Sequence, residues 1–193
     1  MAPNVFKRKI LKIIRKLFSY LIIAILTLFI ALISTFIYRI IKDDESPLEQ
    51  AENSSILNNL DGPYNVIKVV DGDTLIIDYD GENRYVRFIG IDTPESVNPD
   101  ETKNTEEGKI ASDYTKSIIT DKIYLEYDIQ KEDKYGRLLA YVYLNDGTFL
   151  NEKIILEGYA YILTVVPNVK YMLKFKNAFD DARDNQRGLW KNE

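Results

Sequence analysis

Histidine and cysteine are both absent from the 193 residues. Without cysteine no disulfide framework exists, which fits an exported domain that manages without one. The soft ligands are missing with them, so zinc is disfavoured and a bound metal would be held by oxygen. No imidazole is available either, so a general base near neutral pH must be a carboxylate, a lysine, a tyrosine or metal-bound water. Acidic residues are missing from the first 42 positions, and the chain has no internal repeat and no low-complexity segment. What is present is 46% apolar, enough for one domain with a real core plus an appendage.

The appendage is N-terminal. Leu17 to Tyr38 runs 22 residues without a charge, and as a helix it would span about 33 Å against a hydrocarbon core of about 30 Å. A cleaved signal usually has an apolar region of about 7 to 15 residues ending at a small-x-small site. Here the run is longer and Phe36, Ile37, Tyr38 and Arg39 close it, which favours an uncleaved anchor over a cleaved and secreted form. Lys7, Arg8, Lys9, Lys12, Arg15 and Lys16 precede the run, whereas Arg39 and Lys42 soon give way to Asp43, Asp44 and Glu45. The positive-inside rule then expects a single-pass protein, N-terminus cytosolic and folded part extracytoplasmic. The expected division is a basic tail over 1–16, a transmembrane anchor over 17–41, a polar linker over 42–63 and a folded domain over 64–193.

Beyond the linker the pattern becomes short alternating strands. Tyr64–Val70, Thr74–Tyr79 and Arg84–Ile91 read as a three-stranded meander, with Asp80-Gly81 as its second turn. A helix is expected from about Thr105 to Thr120, with Thr105 as its cap, two glutamates in its first turn and Ile110, Ala111, Tyr114 and Ile118 on its apolar stripe. Strands follow over Lys122–Asp128 and Leu138–Leu144. Helices are then expected over Phe149–Glu157, stopped at Gly158, and over about Val169–Asn185.

Two carboxylate turns frame the third strand: Asp71-Gly72-Asp73-Thr74 and Asp92-Thr93-Pro94-Glu95, with Arg87 between them. Asp73 and Asp92, each at a strand end, are hard oxygen ligands suited to Ca²⁺ or Mg²⁺. Arg87 offers a planar fork for phosphate oxygens, and Glu95 is the natural base. A metal, a guanidinium and a carboxylate base together describe phosphodiester hydrolysis, where positioning and charge neutralisation dominate catalysis.

With the downstream motif Asp133-Lys134-Tyr135-Gly136-Arg137 added, the chain resembles the staphylococcal nuclease (thermonuclease) family. VVDGDT at 69–74, RFIGIDTPE at 87–95, DKYGRLLAYVYL at 133–144, LNEKIILEGYA at 150–160 and RGLW at 187–190 occur in the family's order. The resemblance implies an α+β fold, a five-stranded OB-fold barrel with three helices, and a Ca²⁺-dependent nuclease, Mg²⁺ or Mn²⁺ being substitutes. It implies that Asp73, Asp92 and the Thr93 main-chain carbonyl hold the metal. Arg87 and Arg137 would bind the scissile phosphate, Glu95 would activate or orient water, and Lys134 and Tyr135 would sit beside the nucleotide. Cleavage of DNA, and possibly RNA, would leave 3′-phosphate ends. The segment Tyr159–Asn168 departs from the family, because the base-stacking tyrosines are replaced by a run reading ILTVVPN. Tyr159 and Tyr161 are displaced and expected in the core, so weaker nucleotide affinity is expected.

One feature opposes a nucleic-acid partner. Eight of the 25 basic residues lie at or before Lys42 and all 30 acidic residues lie after it, leaving 17 basic against 30 acidic, a net −13 from Asp43 onward. Lys and Arg normally supply most non-specific affinity for phosphate backbones, so binding without metal is expected to be weak. The alternative reading is a non-catalytic OB-fold module that binds nucleic acid or protein at the membrane; metal-dependent turnover separates the two. The expected partners are nucleic acid and, through the N-terminal helix, the membrane, with no obligate protein partner.

Overall fold

The computed structural model describes residues 3–42, 53–97, 100, 102 and 104–192, so the stretch 43–52 of the linker expected over 42–63 lies outside the described residues. The chain divides into two compact units, Met1–Gln50 and Ala51–Glu193. The first is the helix α1 (Pro3–Lys42). Its segment Arg15–Ile37 has a mean hydropathy of 2.7 and, among the described residues, is the one helical stretch long and apolar enough to cross a membrane. The hydroxyls of Thr27, Ser34 and Thr35 donate to the carbonyls of Ala24, Ala31 and Leu32, each at 2.9 Å, so their polar groups are satisfied within the helix.

The second unit runs β1 (Asp61–Asp71), β2 (Thr74–Tyr79), β3 (Glu82–Phe88), β4 (Gly90–Asp92), α2 (Glu106–Ile118), β5 (Lys122–Glu126), β6 (Leu138–Leu144), α3 (Leu150–Leu156), β7 (Tyr161–Leu163) and α4 (Met172–Asp184), then a 3-10 turn over Gly188–Asn192. Five strands close a barrel in the order β1-β2-β3-β6-β5, with the β3–β6 pair parallel and the other pairs antiparallel. This is the OB-fold α+β architecture expected from the motifs, with α2, α3 and α4 as its three helices. Alternation explains the strands: Leu75 and Ile77 of β2 and Val86 and Phe88 of β3 are buried, while the residues between them face outward. The β2–β3 turn has Asp80 at φ 54° and Gly81 at φ 88°, as a two-residue hairpin requires. Asp78 accepts from the Gly81 N–H at 2.8 Å. Ile154 and Ile155 of α3 and Phe175 of α4 are buried in the same core cluster as the barrel interior.

Four local expectations change. The strand expected over Arg84–Ile91 is two strands: Gly90 turns at φ 82°, a Cβ there would lie 2.4 Å from the Phe175 ring, and the chain leaves the barrel. The released β4 pairs antiparallel with β7, a three-residue strand too short to show a period. β1 begins at Asp61, before Tyr64. On α2 the buried face carries Ala111, Ser112 and Thr115, whereas Ile110 is exposed.

Candidate active site

The β1–β2 turn and the β3–β4 break lie side by side. Asp73, buried, accepts from the Thr93 N–H at 2.9 Å, from the Thr93 hydroxyl at 3.2 Å and from the Thr74 hydroxyl at 2.9 Å. Arg87 comes from β3, opposite Thr74 in the register. Its guanidinium bridges the two aspartates: Nη2 donates to Asp92 Oδ1 at 2.6 Å and Nη1 lies against Asp73 Oδ2 without hydrogen-bonding geometry. The arginine and Asp73 side chains are only 13% and 8% exposed, whereas Asp92 is half-exposed. Burial raises the Asp92 pKa above its ordinary carboxylate value, Asp73 and Asp71 add to the rise, and Arg87 opposes it. The two aspartates thus already share one cationic group. Gly72 allows the close approach, since a Cβ there would lie 2.8 Å from the Thr93 hydroxyl.

Glu95 stands at the mouth of the pocket that also holds Asp73, Arg87 and Arg137. Its backbone is fixed from two directions. The Thr105 N–H donates to the Glu95 carbonyl at 2.9 Å, and a Cβ at Gly108 of α2 would lie 2.1 Å from that same oxygen. From the other side Asp71 accepts from the Ser96 hydroxyl at 2.7 Å and the Ser96 N–H at 3.2 Å. Thr115 of α2 donates to the Gly72 carbonyl at 2.8 Å, tying the helix to the β1–β2 turn. Gly108, Ser96 and Thr115 were not singled out in the sequence, and Asp71 was read only as part of its turn, because each reports contact between segments far apart in the chain.

Arg137 reaches the site from the turn before β6. Asp133 accepts from the N–H groups of Tyr135 and Arg137 at 2.9 and 3.0 Å and from Arg137 Nε at 2.7 Å. Burial disfavours the Asp133 anion, but these donors prevail and its pKa falls below the ordinary value. The grip on Nε leaves both Nη groups of Arg137 without a hydrogen bond among the described residues. Lys134 and Tyr135 are not in the pocket itself. Tyr135 is exposed, with Lys134 Nζ 4.9 Å and Arg137 Cζ 5.7 Å from its ring centroid.

Of the displaced tyrosines, Tyr159 is half-buried and stacks on Tyr114 at 4.2 Å. Tyr161 corrects its expected place in the core: it is 42% exposed and packs edge-on against Trp190. Leu163, Val165 and Val166 line a second pocket that also takes Arg87 and Arg137 as walls.

The family described as Staphylococcal nuclease homologue matches residues 85–192. The thermonuclease of Staphylococcus hyicus is 43% identical over 142 residues, 73% of this chain and 83% of the relative. That of Staphylococcus intermedius is 46% identical over 129 residues, 66% of this chain and 76% of the relative. The SPbeta prophage-derived endonuclease YokF of Bacillus subtilis is 39% identical over 126 residues, 64% of this chain and 42% of the relative. Matched over more than half its length by the family and over most of two thermonucleases, this chain belongs to the staphylococcal nuclease family and is a nuclease.

Proposed function

We propose that the protein is a membrane-anchored, Ca²⁺-dependent nuclease that hydrolyses DNA, and RNA where single-stranded, leaving 3′-phosphate ends. The observation that carries the reading is the pair Asp73 and Asp92 held around one cationic group beside Glu95 and Arg137. The donor set fits a hard divalent ion: two carboxylates with the Thr93 main-chain carbonyl alongside, all oxygen. Among the described residues no group of three or more His, Cys, Asp or Glu side chains clusters for a metal, so water and a substrate oxygen would complete the shell. Mg²⁺ or Mn²⁺ could occupy the same donors.

A bound divalent ion supplies Lewis-acid neutralisation of phosphate charge. Asp73, Asp92 and the Thr93 carbonyl would hold that ion, and the guanidinium groups of Arg87 and Arg137 would offer two forks of donors to the phosphate oxygens. Glu95, fixed through its own backbone by α2, orients the attacking water and takes its proton. Both arginines donate to charge that builds on the phosphate in the transition state, which is where their catalytic effect arises. Lys134 and Tyr135 flank Arg137 and contact the nucleotide.

The anchor is α1, with the basic tail cytosolic and the nuclease domain outside. Protease added to intact cells should remove the domain and spare the tail; protection of the domain overturns this orientation. The chemical reading is tested with fluorescent single-stranded DNA in Ca²⁺, in Mg²⁺ and in chelator, beside Glu95→Gln. The expected result is Ca²⁺-dependent cleavage that Glu95→Gln loses by about 10²- to 10⁴-fold. Cleavage that survives chelator, or a variant as active as wild type, overturns the assigned roles.

A further inference from the structure

Two pockets meet at the arginine pair. The first is aliphatic, with Leu139, Leu163, Val165 and Val166 beside Arg87 and Arg137. The second carries Asp73 and Glu95 beside the same two arginines, and Val70 and Tyr85 also line it. A phosphate held by both arginines therefore has a pocket for each of its ester arms. Each arm of a diester in a polynucleotide carries a nucleoside.

Tyr85 is placed to receive one of them. In β3 Val86 and Phe88 are buried, so Tyr85 and Arg87 share the outer face, about 6.5 Å apart along the strand. That is the reach between a phosphate and the base on its own nucleotide. The ring is 48% exposed. Among the described residues it forms no ring pair, cation contact or hydrogen bond. Its cross-strand neighbour is Ile76. An unengaged aromatic face on a rigid strand, two residues from a phosphate-binding arginine, matches the platform on which single-stranded nucleic acids stack.

We propose that Tyr85 stacks the base of the nucleoside whose ester arm enters the Glu95 pocket. The proposal rests on Arg87 and Arg137 binding the scissile phosphate. The platform lies across the arginine pair from the aliphatic pocket, and it is separate from Tyr135 on the Asp133–Arg137 turn. It makes the enzyme read bases on both sides of the bond it cuts. Such a site favours cleavage inside a strand over attack on a terminal phosphate ester.

The test is a cycle that combines substrate and protein changes. Full-length protein is given strands with one cleavable phosphodiester set among methylphosphonate linkages. Two further strands lack the base on one side or the other of that bond. In wild type, removing the base on the Glu95 side should raise KM by about 5- to 100-fold with kcat little changed. Tyr85→Ala should raise KM similarly on the intact strand, and removing that base should then cost nothing more. Tyr85→Phe should keep the wild-type response, which a role through the hydroxyl would not. Base loss and Tyr85→Ala combining additively on both sides overturns the assignment, as does an equal fall in kcat on all three strands. Wild type that cleaves none of the strands overturns the phosphate-site reading as well, so the two failures are distinct.

Discussion

The two arginines of the site are held in opposite ways. Arg87 projects from near the end of β3, is nearly buried, and is engaged by both aspartates. Arg137 projects from a tight turn, is a third exposed, and is engaged by the single carboxylate of Asp133 through Nε. One guanidinium is therefore part of the framework around the two aspartates, and the other is more open to solvent. Under the proposed function this would divide the work: the first would couple phosphate binding to metal binding, and the second would be a preorganised donor.

Removing Arg87 breaks the comparison most severely. Arg87→Ala leaves Asp73 buried beside Asp92 with no cation, and breaking such a pair costs about 3 to 5 kcal/mol. Urea unfolding should show that loss in chelator and recover much of it in Ca²⁺; equal stability in both would separate the guanidinium from the metal donors. Arg137→Ala should do the reverse. Its kcat should fall about 10²- to 10³-fold, while its unfolding midpoint stays close to wild type. A comparable loss of stability would place Arg137 in the framework with Arg87.

Gly108→Ala is expected to act between these extremes. A methyl 2.1 Å from the Glu95 carbonyl must push α2 or the Glu95 loop away, and overpacking of this kind costs about 1 to 3 kcal/mol. Turnover should fall more than stability does, because the displaced backbone carries Glu95; unchanged kinetics would show that the loop tolerates the shift. Asp133→Asn should have the smallest effect. The Asp133 pKa is depressed in the folded state, so its stabilisation is present above the unfolded carboxylate value of about 4 and is lost as pH falls below it. The stability gap between wild type and Asp133→Asn, measured by urea titration, should be about 1 kcal/mol at neutral pH and close in that acidic range. A gap that is constant with pH would mean that Asp133 acts by shape alone.

Strands β2 and β3 were legible because each alternates buried and outward residues and they are bounded by the Asp71-Gly72 and Asp80-Gly81 turns. Asp73, Arg87, Asp92, Glu95 and Arg137 were legible as residue types at strand ends. Their partnerships were not: nothing in the spacing says that Arg87 rests on the two aspartates rather than facing solvent. Gly90 and Gly108 carry no local signal, since the reason for each is a group that arrives from elsewhere, the Phe175 ring and the Glu95 carbonyl. Tyr161 was misplaced for a related reason. It belongs to a strand of three residues whose existence depends on β4 leaving the barrel.

The parallel pairing of β3 with β6 also sets the order in which the molecule can assemble. β1, β2 and β3 are neighbours in sequence and can zip together as soon as they exist, but Val86 finds Leu138 only after α2 and β5 have been made. Asn151 then fastens the seam, donating to the Ile89 carbonyl at 2.9 Å while accepting from the Val142 N–H at 2.8 Å. Closing that long loop is an entropic barrier met late. A domain that emerged from a pore β1 first would stay an open ribbon, and catalytically silent, until α3 had cleared the exit.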